Sequence, residues 1–343
     1  MEKNLLQGLT DYANEGWVPF HMPGHKRAPL GGGLPWQLDI TEIAGFDDLK
    51  DPRGLLLDLT RQAAAHWGAD EAWIGVNGST GAILSGLRAM TKRGDTVLVA
   101  RNCHMSVFHA IELRELRPVI LEPEWLPNWG IYGRVAQETL DQALAAHPEA
   151  ALCVITSPTY EGFLSELACP IPLYVDAAHG AHLPLPNSDL VNISTHKTLP
   201  ALTQTALLHV RSSRVDIERL ERQLRVFQTS SPSYVLMASI ERCVALLEEQ
   251  REELFEQWRQ RLDAFYDHAR QWQSLRLLRP DDRSKLVVHC GMDPTSKLHK
   301  HRIEPEYIQN GRALFLTSPC DTDEMMAALA AALDALDVDC GNM

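Results

Sequence analysis

From Leu55 onward, short apolar, β-branched runs alternate with longer segments whose apolar positions recur every three or four residues. The runs Ala72–Val76, Thr96–Ala100, Val119–Glu122, Ala151–Thr156, Pro172–Asp176, Leu190–Ile193 and Thr205–Val210 read as strands. Residues 55–67, 79–90, 105–116 and 135–146 read as the helices between them. Strands that are apolar on both faces belong to a parallel or mostly parallel sheet covered by helices on both sides. In such sheets ligands bind beyond the carboxyl ends of the strands. The pattern therefore predicts an α/β fold and says where its chemistry should lie.

The flanks read differently. Residues 1–54 are rich in Gly and Pro and read as an N-terminal arm and entrance loops, with Gly31-Gly32-Gly33 a flexible surface loop. Residues 211–272 read as charge-rich helices with i,i+4 pairs, broken near Ser230-Ser231-Pro232-Ser233. Beyond Trp272, LRLLR, KLVVH and RALFL read as strands and Asp323–Leu336 as an Ala-rich helix. The predicted division is an arm (1–54), a large domain (55–272) and a small C-terminal α+β domain (273–343).

Composition narrows the partners. With 343 residues, 32 Lys+Arg against 45 Asp+Glu and a net charge of −13, a nucleic acid or acidic membrane surface is not the expected partner. No apolar run reaches the length of a membrane span, and MEKNLLQGLTDYANEGW lacks the basic-then-apolar order of a secretory leader. The seven cysteines are widely spaced and include no CxxC, so neither a disulfide framework nor a metal site is expected, and a cytoplasmic location is. His299 and His301 flank Lys300 with no third ligand nearby and read as a surface loop.

Four segments carry candidate chemistry, each at a strand end. Asn77-Gly78-Ser79-Thr80-Gly81 joins a strand to a helix and would present hydroxyls and backbone N–H groups to a phosphate, or merely cap the helix. It matches neither GxGxxG nor GxxxxGK[ST], so a dinucleotide or ATP-type site is not indicated. Asp176 ends an apolar strand, where a carboxylate either holds a ring nitrogen protonated or caps a helix, and His179 follows it. In Ser194-Thr195-His196-Lys197, the lysine is an imine former or a surface residue. His104, after TVLVA, is a ring-stacking or proton-relaying residue or an ordinary hydrogen-bonded histidine. Cys103 beside it reads as a buried thiol rather than a nucleophile. Phosphate cup, stacking histidine, ring-nitrogen carboxylate and imine-forming lysine together match the needs of pyridoxal 5′-phosphate.

The sequence resembles the pyridoxal-phosphate-dependent Orn/Lys/Arg decarboxylases of the aspartate-aminotransferase fold (fold type I). The resemblance runs from about residue 17 to 240, through PFHMPGHK (19–26), TEIAGFDDLKDPRG (41–54), NGSTGA (77–82), RNCHMS (101–106), TSPTYEG (156–162), VDAAHGAH (175–182), STHKTLPALTQ (194–204) and QTSSPSY (228–234). It implies a covalent imine on Lys197, Asp176 on the pyridinium nitrogen, His104 stacked on the ring and His179 near it. It also implies cofactor contacts from Ser79, Thr80, Gly81, Ser194 and His196. Thr229 and Ser230 would reach the neighbouring subunit's phosphate in a homodimer, and PGHK at 23–26 would line an entrance, with Arg27-Ala28 in place of the usual small residue. A short form lacking much of the usual C-terminal domain is implied as well.

The activity expected is decarboxylation of a basic amino acid, with Asp47 and Asp48 as candidates for its distal cation or as plain loop carboxylates. Two alternatives stand beside it. One is another reaction on the same cofactor (transamination, elimination or cyclisation), with Arg302 or Arg312 holding the substrate carboxylate. The other is a non-catalytic regulatory homologue.

Overall fold

The structure, a computed structural model, describes residues 4–28 and 31–341. The described chain runs α1 (Leu5–Asn14), α2 (Leu55–Trp67), β1 (Glu71–Gly75), α3 (Gly78–Met90), β2 (Thr96–Ala100), α4 (Met105–Arg114), β3 (Arg117–Leu121), β4 (Trp125–Leu126), β5 (Ile131–Tyr132), α5 (Gln137–Ala146) and β6 (Leu152–Thr156). It continues with β7 (Leu173–Asp176), β8 (Leu190–Ser194), β9 (Ala206–Val210), α6 (Ile217–Phe227), α7 (Tyr234–His268), β10 (Arg276–Leu277), β11 (Lys285–His289), α8 (Thr295–Lys300), β12 (Tyr307–Gln309), β13 (Arg312–Leu316) and α9 (Asp323–Gly341). No described helix is long and apolar enough to cross a membrane.

The chain divides into two compact units. The first comprises residues 1–122, 135–156 and 166–249. Its seven-stranded sheet has the order β1-β9-β8-β7-β6-β2-β3. The pairs β2–β3, β2–β6, β6–β7 and β7–β8 are parallel, whereas β9 runs antiparallel to both β8 and β1. One reversed strand among seven makes the sheet mostly parallel, and the apolar runs on β2, β6, β7, β8 and β9 are buried almost throughout. The seven strands lie where hydrophobic patterning puts them. The helix expected over 105–116 ends at Arg114, because Glu115 turns into the left-handed region at φ 54°.

Helix α3 lies close on this sheet. A Cβ at Gly86 would stand 2.7 Å from both Leu190 Cδ2 and Tyr174 Cε1, so only a glycine lets the helix approach so closely. Elsewhere in the unit, Glu241 of α7 receives the Leu5 and Leu6 amides at 2.7 and 2.9 Å and so caps α1 from a distance.

The second unit comprises residues 123–134, 157–165 and 250–343. Its four-stranded antiparallel sheet has the order β10-β11-β13-β12. One face, with Leu286, Val288, Ala313 and Phe315, packs on the end of α7 and on α9 through Trp258, Phe265, Leu329 and Leu333. The other face, with Val287 and Leu314, packs on Ile131 of the β4–β5 hairpin and on Tyr160 and Phe163. Strands β4, β5 and β12, and helix α8, are absent from the sequence reading. Elements of two to six residues are too short to show a period.

Candidate functional site

Because β9 reverses between β1 and β8, strands β1, β2, β7 and β8 all point the same way. Their carboxyl ends share one edge of the first unit, and all four predicted segments start there.

At the end of β1 the chain turns through Gly78 at φ +65° into α3, with Asn77 as its N-cap residue. This positive φ is why a glycine stands at the turn. Gly81 sits one turn later, where a Cβ would come within 2.9 Å of Asn77 Cβ. Ser79 Oγ lies 2.8 Å from Ser194 Oγ, which joins the end of β1 to the end of β8. Thr80 Oγ1 lies 3.4 Å from Ser106 Oγ, and that hydroxyl also meets His104 Nδ1. The cluster sets hydroxyls beside a helix N-terminus, whose N–H groups and dipole favour an anion.

Beyond β7, Asp176 is buried (3% exposed), and Asn192 Nδ2 and the Ala178 amide donate to its Oδ1 at 2.7 and 3.1 Å. Beyond β8, Lys197 is half-buried and its Nζ stands 2.9 Å from Nε2 of buried His179. His196 donates from Nδ1 to the Thr205 carbonyl at 2.8 Å. Burial pulls the His196 pKa below the usual range, opposed by that bond and aided by the neighbouring Lys197 charge. The neutral ring is thus favoured, with its proton on Nδ1.

His104 is exposed and serves as the N-cap of α4, accepting from the Ser106 amide at 3.2 Å. The Cys103 thiol is buried and pushed up to about 12, chiefly by burial, so it supplies no thiolate. Thr229 and Ser230 lie exposed between α6 and α7, and the Thr229 amide faces Asn77 Oδ1 at 3.5 Å. Asp47 is committed locally: its carboxylate accepts the amides of Asp48, Arg53, Gly54 and Leu56 at the start of α2. Burial raises its pKa, but the four donors outweigh this and lower it. Asp48 Oδ1 accepts the Lys50 amide at 2.8 Å. Both are loop carboxylates by geometry. No group of three or more His, Cys, Asp or Glu among the described residues is placed to hold a metal ion.

Two residues here have no role in the sequence reading. Asn192 orients Asp176, and its signal was a lone amide inside the buried strand LVNIS. Gln228, the first residue of QTSSPSY, accepts the Val76 amide at 3.0 Å and donates to the Ile74 carbonyl at 3.1 Å. Nothing local in the sequence signals that contact, since 152 residues separate Gln228 from Val76.

Comparison with known proteins gives concordant results. The family model described as Orn/Lys/Arg decarboxylase, major domain, matches residues 3–306. The uncharacterized protein YaaO of Bacillus subtilis (strain 168) is 37% identical over 272 residues, covering 70% of this chain and 56% of that protein. The arginine decarboxylase of Bacillus cereus is 31% identical over 266 residues, covering 70% and 58%. Among solved structures, the lysine decarboxylase LdcF of Francisella novicida superposes with a TM-score of 0.83 at 21% identity, covering 98% of this chain and 60% of that one. The architecture is that of fold type I pyridoxal-phosphate enzymes. The chain spans a little over half the length of the relatives it matches.

Proposed function

The chain belongs to the Orn/Lys/Arg decarboxylase family, and from that premise we propose that it binds pyridoxal 5′-phosphate on Lys197 and decarboxylates a basic amino acid of the lysine, ornithine or arginine class to the amine. The observation that carries this reading is the pairing of Lys197 Nζ with His179 Nε2 at 2.9 Å, on the strand edge that also holds buried Asp176 and the Ser79–Ser194 pair. The donor set suits the cofactor. Hydroxyls at a helix N-terminus suit a phosphate, a buried carboxylate suits a protonated ring nitrogen, and an amine beside an imidazole suits an aldehyde.

When bound, the cofactor supplies an electron sink that lets a bond to the substrate Cα break. The protein's own residues do the rest. The 2.9 Å contact lets a proton pass between Lys197 Nζ and His179 Nε2, so the lysine can become the neutral amine that attack on a carbonyl requires. Asn192 and the Ala178 amide hold the Asp176 carboxylate in place, where it would pair with a protonated ring nitrogen without reorganising. Ser79, Thr80, Gly81, Ser194 and His196 would hold the phosphate, which would contribute binding and orientation. His104 offers its ring face for stacking. The protein acts as a homodimer with Thr229 and Ser230 turned to the neighbouring copy, and it works in the cytoplasm, where its seven cysteines stay reduced.

A second reading is transamination on the same cofactor, for which Arg302 and Arg312 are the candidate arginines. Arg312 is 3% exposed within the second unit, where its Nε donates to the Gln309 carbonyl at 3.3 Å. Arg302, by contrast, is exposed. The test offers single amino acids to the cofactor-loaded protein and assays carbon dioxide, amine and keto acid separately. Carbon dioxide with amine from a basic amino acid is expected. Keto acid without carbon dioxide would replace the decarboxylase reading, and cofactor binding without turnover would favour a regulatory protein. A borohydride-reducible adduct persisting in Lys197→Ala would refute the attachment site.

A further inference from the structure

We infer that Gln228 is a positioning residue for the phosphate cup: it completes the open edge of β1 and thereby fixes the turn that presents Ser79 and Thr80. This rests on the cofactor reading above.

Among the described residues, strand β1 is the outermost strand of its sheet and pairs only with β9. An outermost strand leaves one row of backbone N–H and C=O groups without a neighbour. Along a strand, the carbonyl of one residue and the amide two residues on point to the same side. Ile74 O and Val76 N are such a pair, and the Gln228 side chain meets both, donating from Nε2 at 3.1 Å and accepting at Oε1 at 3.0 Å. One primary amide thus stands in for a missing strand. Its orientation is fixed, because a flipped amide would set donor against donor and acceptor against acceptor.

The next groups along the chain are held by a second glutamine. Gln204 donates from Nε2 to Val76 O at 2.8 Å, and its own carbonyl accepts the Gly78 amide at 3.0 Å. Backbone from Ile74 to Gly78 is therefore tied at four successive points, immediately before the residues that would face the phosphate. Gln228 is itself anchored, since its amide caps α6 by donating to Leu224 O at 2.9 Å. The following amide, Thr229 N, faces Asn77 Oδ1. The cup is thus held from its outer side by the end of α6, not by its own sequence.

The consequence is specific to phosphate. Releasing the clamp should loosen the cup and leave the Lys197, Asp176 and His179 side of the site unchanged. The experiment compares wild type, Gln228→Ala and Gln228→Glu. It measures binding of pyridoxal phosphate, of pyridoxal (the same ring and aldehyde without phosphate) and of inorganic phosphate to the apoprotein, alongside the melting temperature. For Gln228→Ala, roughly tenfold weaker binding of pyridoxal phosphate and of inorganic phosphate is expected, with pyridoxal unchanged within about twofold. Gln228→Glu keeps the acceptor for Val76 N but loses the donor to Ile74 O until its carboxyl takes up a proton. Its phosphate affinity relative to wild type should therefore recover only as pH falls towards the ordinary glutamate range, about 4.3, which a general loss of structure would not produce. Equal weakening of pyridoxal and pyridoxal phosphate, or an unchanged inorganic-phosphate affinity in Gln228→Ala, would overturn the inference. A wild type that binds inorganic phosphate but forms no imine with pyridoxal phosphate would instead overturn the cofactor reading, and the phosphate comparison would still decide the role of Gln228.

Discussion

Replacing Gly81 with alanine should damage phosphate binding more than it damages the fold. The new Cβ would lie 2.9 Å from Asn77 Cβ and 3.8 Å from Phe227 O. Carbon atoms in contact prefer about 3.5–4.0 Å, so the Asn77–Gly78 turn must move out by roughly 0.5 Å or more. Overpacking of this kind costs about 1–3 kcal/mol. Alanine returns about 1 kcal/mol of helix propensity, because Gly81 lies in the first turn of α3. The net loss is therefore about 0–2 kcal/mol, a fall in Tm of at most about 8 °C for a unit of this size. The moving turn is the one that carries Ser79 and Thr80, so affinity for pyridoxal phosphate should fall about tenfold, the loss expected when two charge-assisted hydrogen bonds lengthen. Gly86→Ala is the control. There the Cβ would press on Leu190 and buried Tyr174 at 2.7 Å, away from the cup, so Tm should fall with little change in affinity. Differential scanning fluorimetry and an absorbance titration of the apoprotein read both quantities. Wild-type affinity in Gly81→Ala, or equal loss of affinity in the two variants, would refute the reasoning.

Other consequences follow from single residues. His209 is fully buried in β9 with neither ring nitrogen partnered among the described residues, and burial, the largest cause, takes its pKa down to about 3. The native state refuses a proton that the unfolded chain accepts below about pH 6.5, so stability falls as pH drops from 6.5 towards 3, by about 2–3 kcal/mol at pH 4.5. His209→Leu should lose about 5–10 °C less than wild type between pH 7 and 4.5, and parallel melting curves would contradict this. Asn192→Leu removes the 2.7 Å bond to Asp176, worth about 1.5–3 kcal/mol. It also removes a buried Oδ1 with no partner among the described residues. Tm should therefore change little while pyridoxal-phosphate affinity drops about tenfold, and unchanged affinity would mean that Asp176 needs no such support. Asp47→Asn withdraws a charge from four backbone donors at the start of α2 and should cost about 1 kcal/mol at neutral pH. Because that carboxyl's pKa is lowered in the native state, the difference from wild type should vanish as pH falls below about 4, as melting temperatures would show.

Much of this architecture is written locally. The five-residue strands of the large sheet are apolar on both faces, so they had to be covered on both, and a mostly parallel sheet with crossover helices follows. The polar residues that follow the apolar runs, Ser79, His104, Asp176 and Lys197, could be picked out as candidates because a buried run usually ends where polar side chains begin, although Asn192 and His209 show that the strands also hold polar groups inside. Tertiary structure alone decided which ends became neighbours. Nothing in ALLHV says that β9 runs backwards between β1 and β8, or that the strand order leaves β1 as an outer edge met by Gln228. Nor does TSPTYEG show that residues 157–165 join the unit of β11 and β13. Periodicity reports which face of an element is buried. It does not report the partner across that face, which is fixed by packing between residues distant in the chain, as Trp73 and Leu208 are.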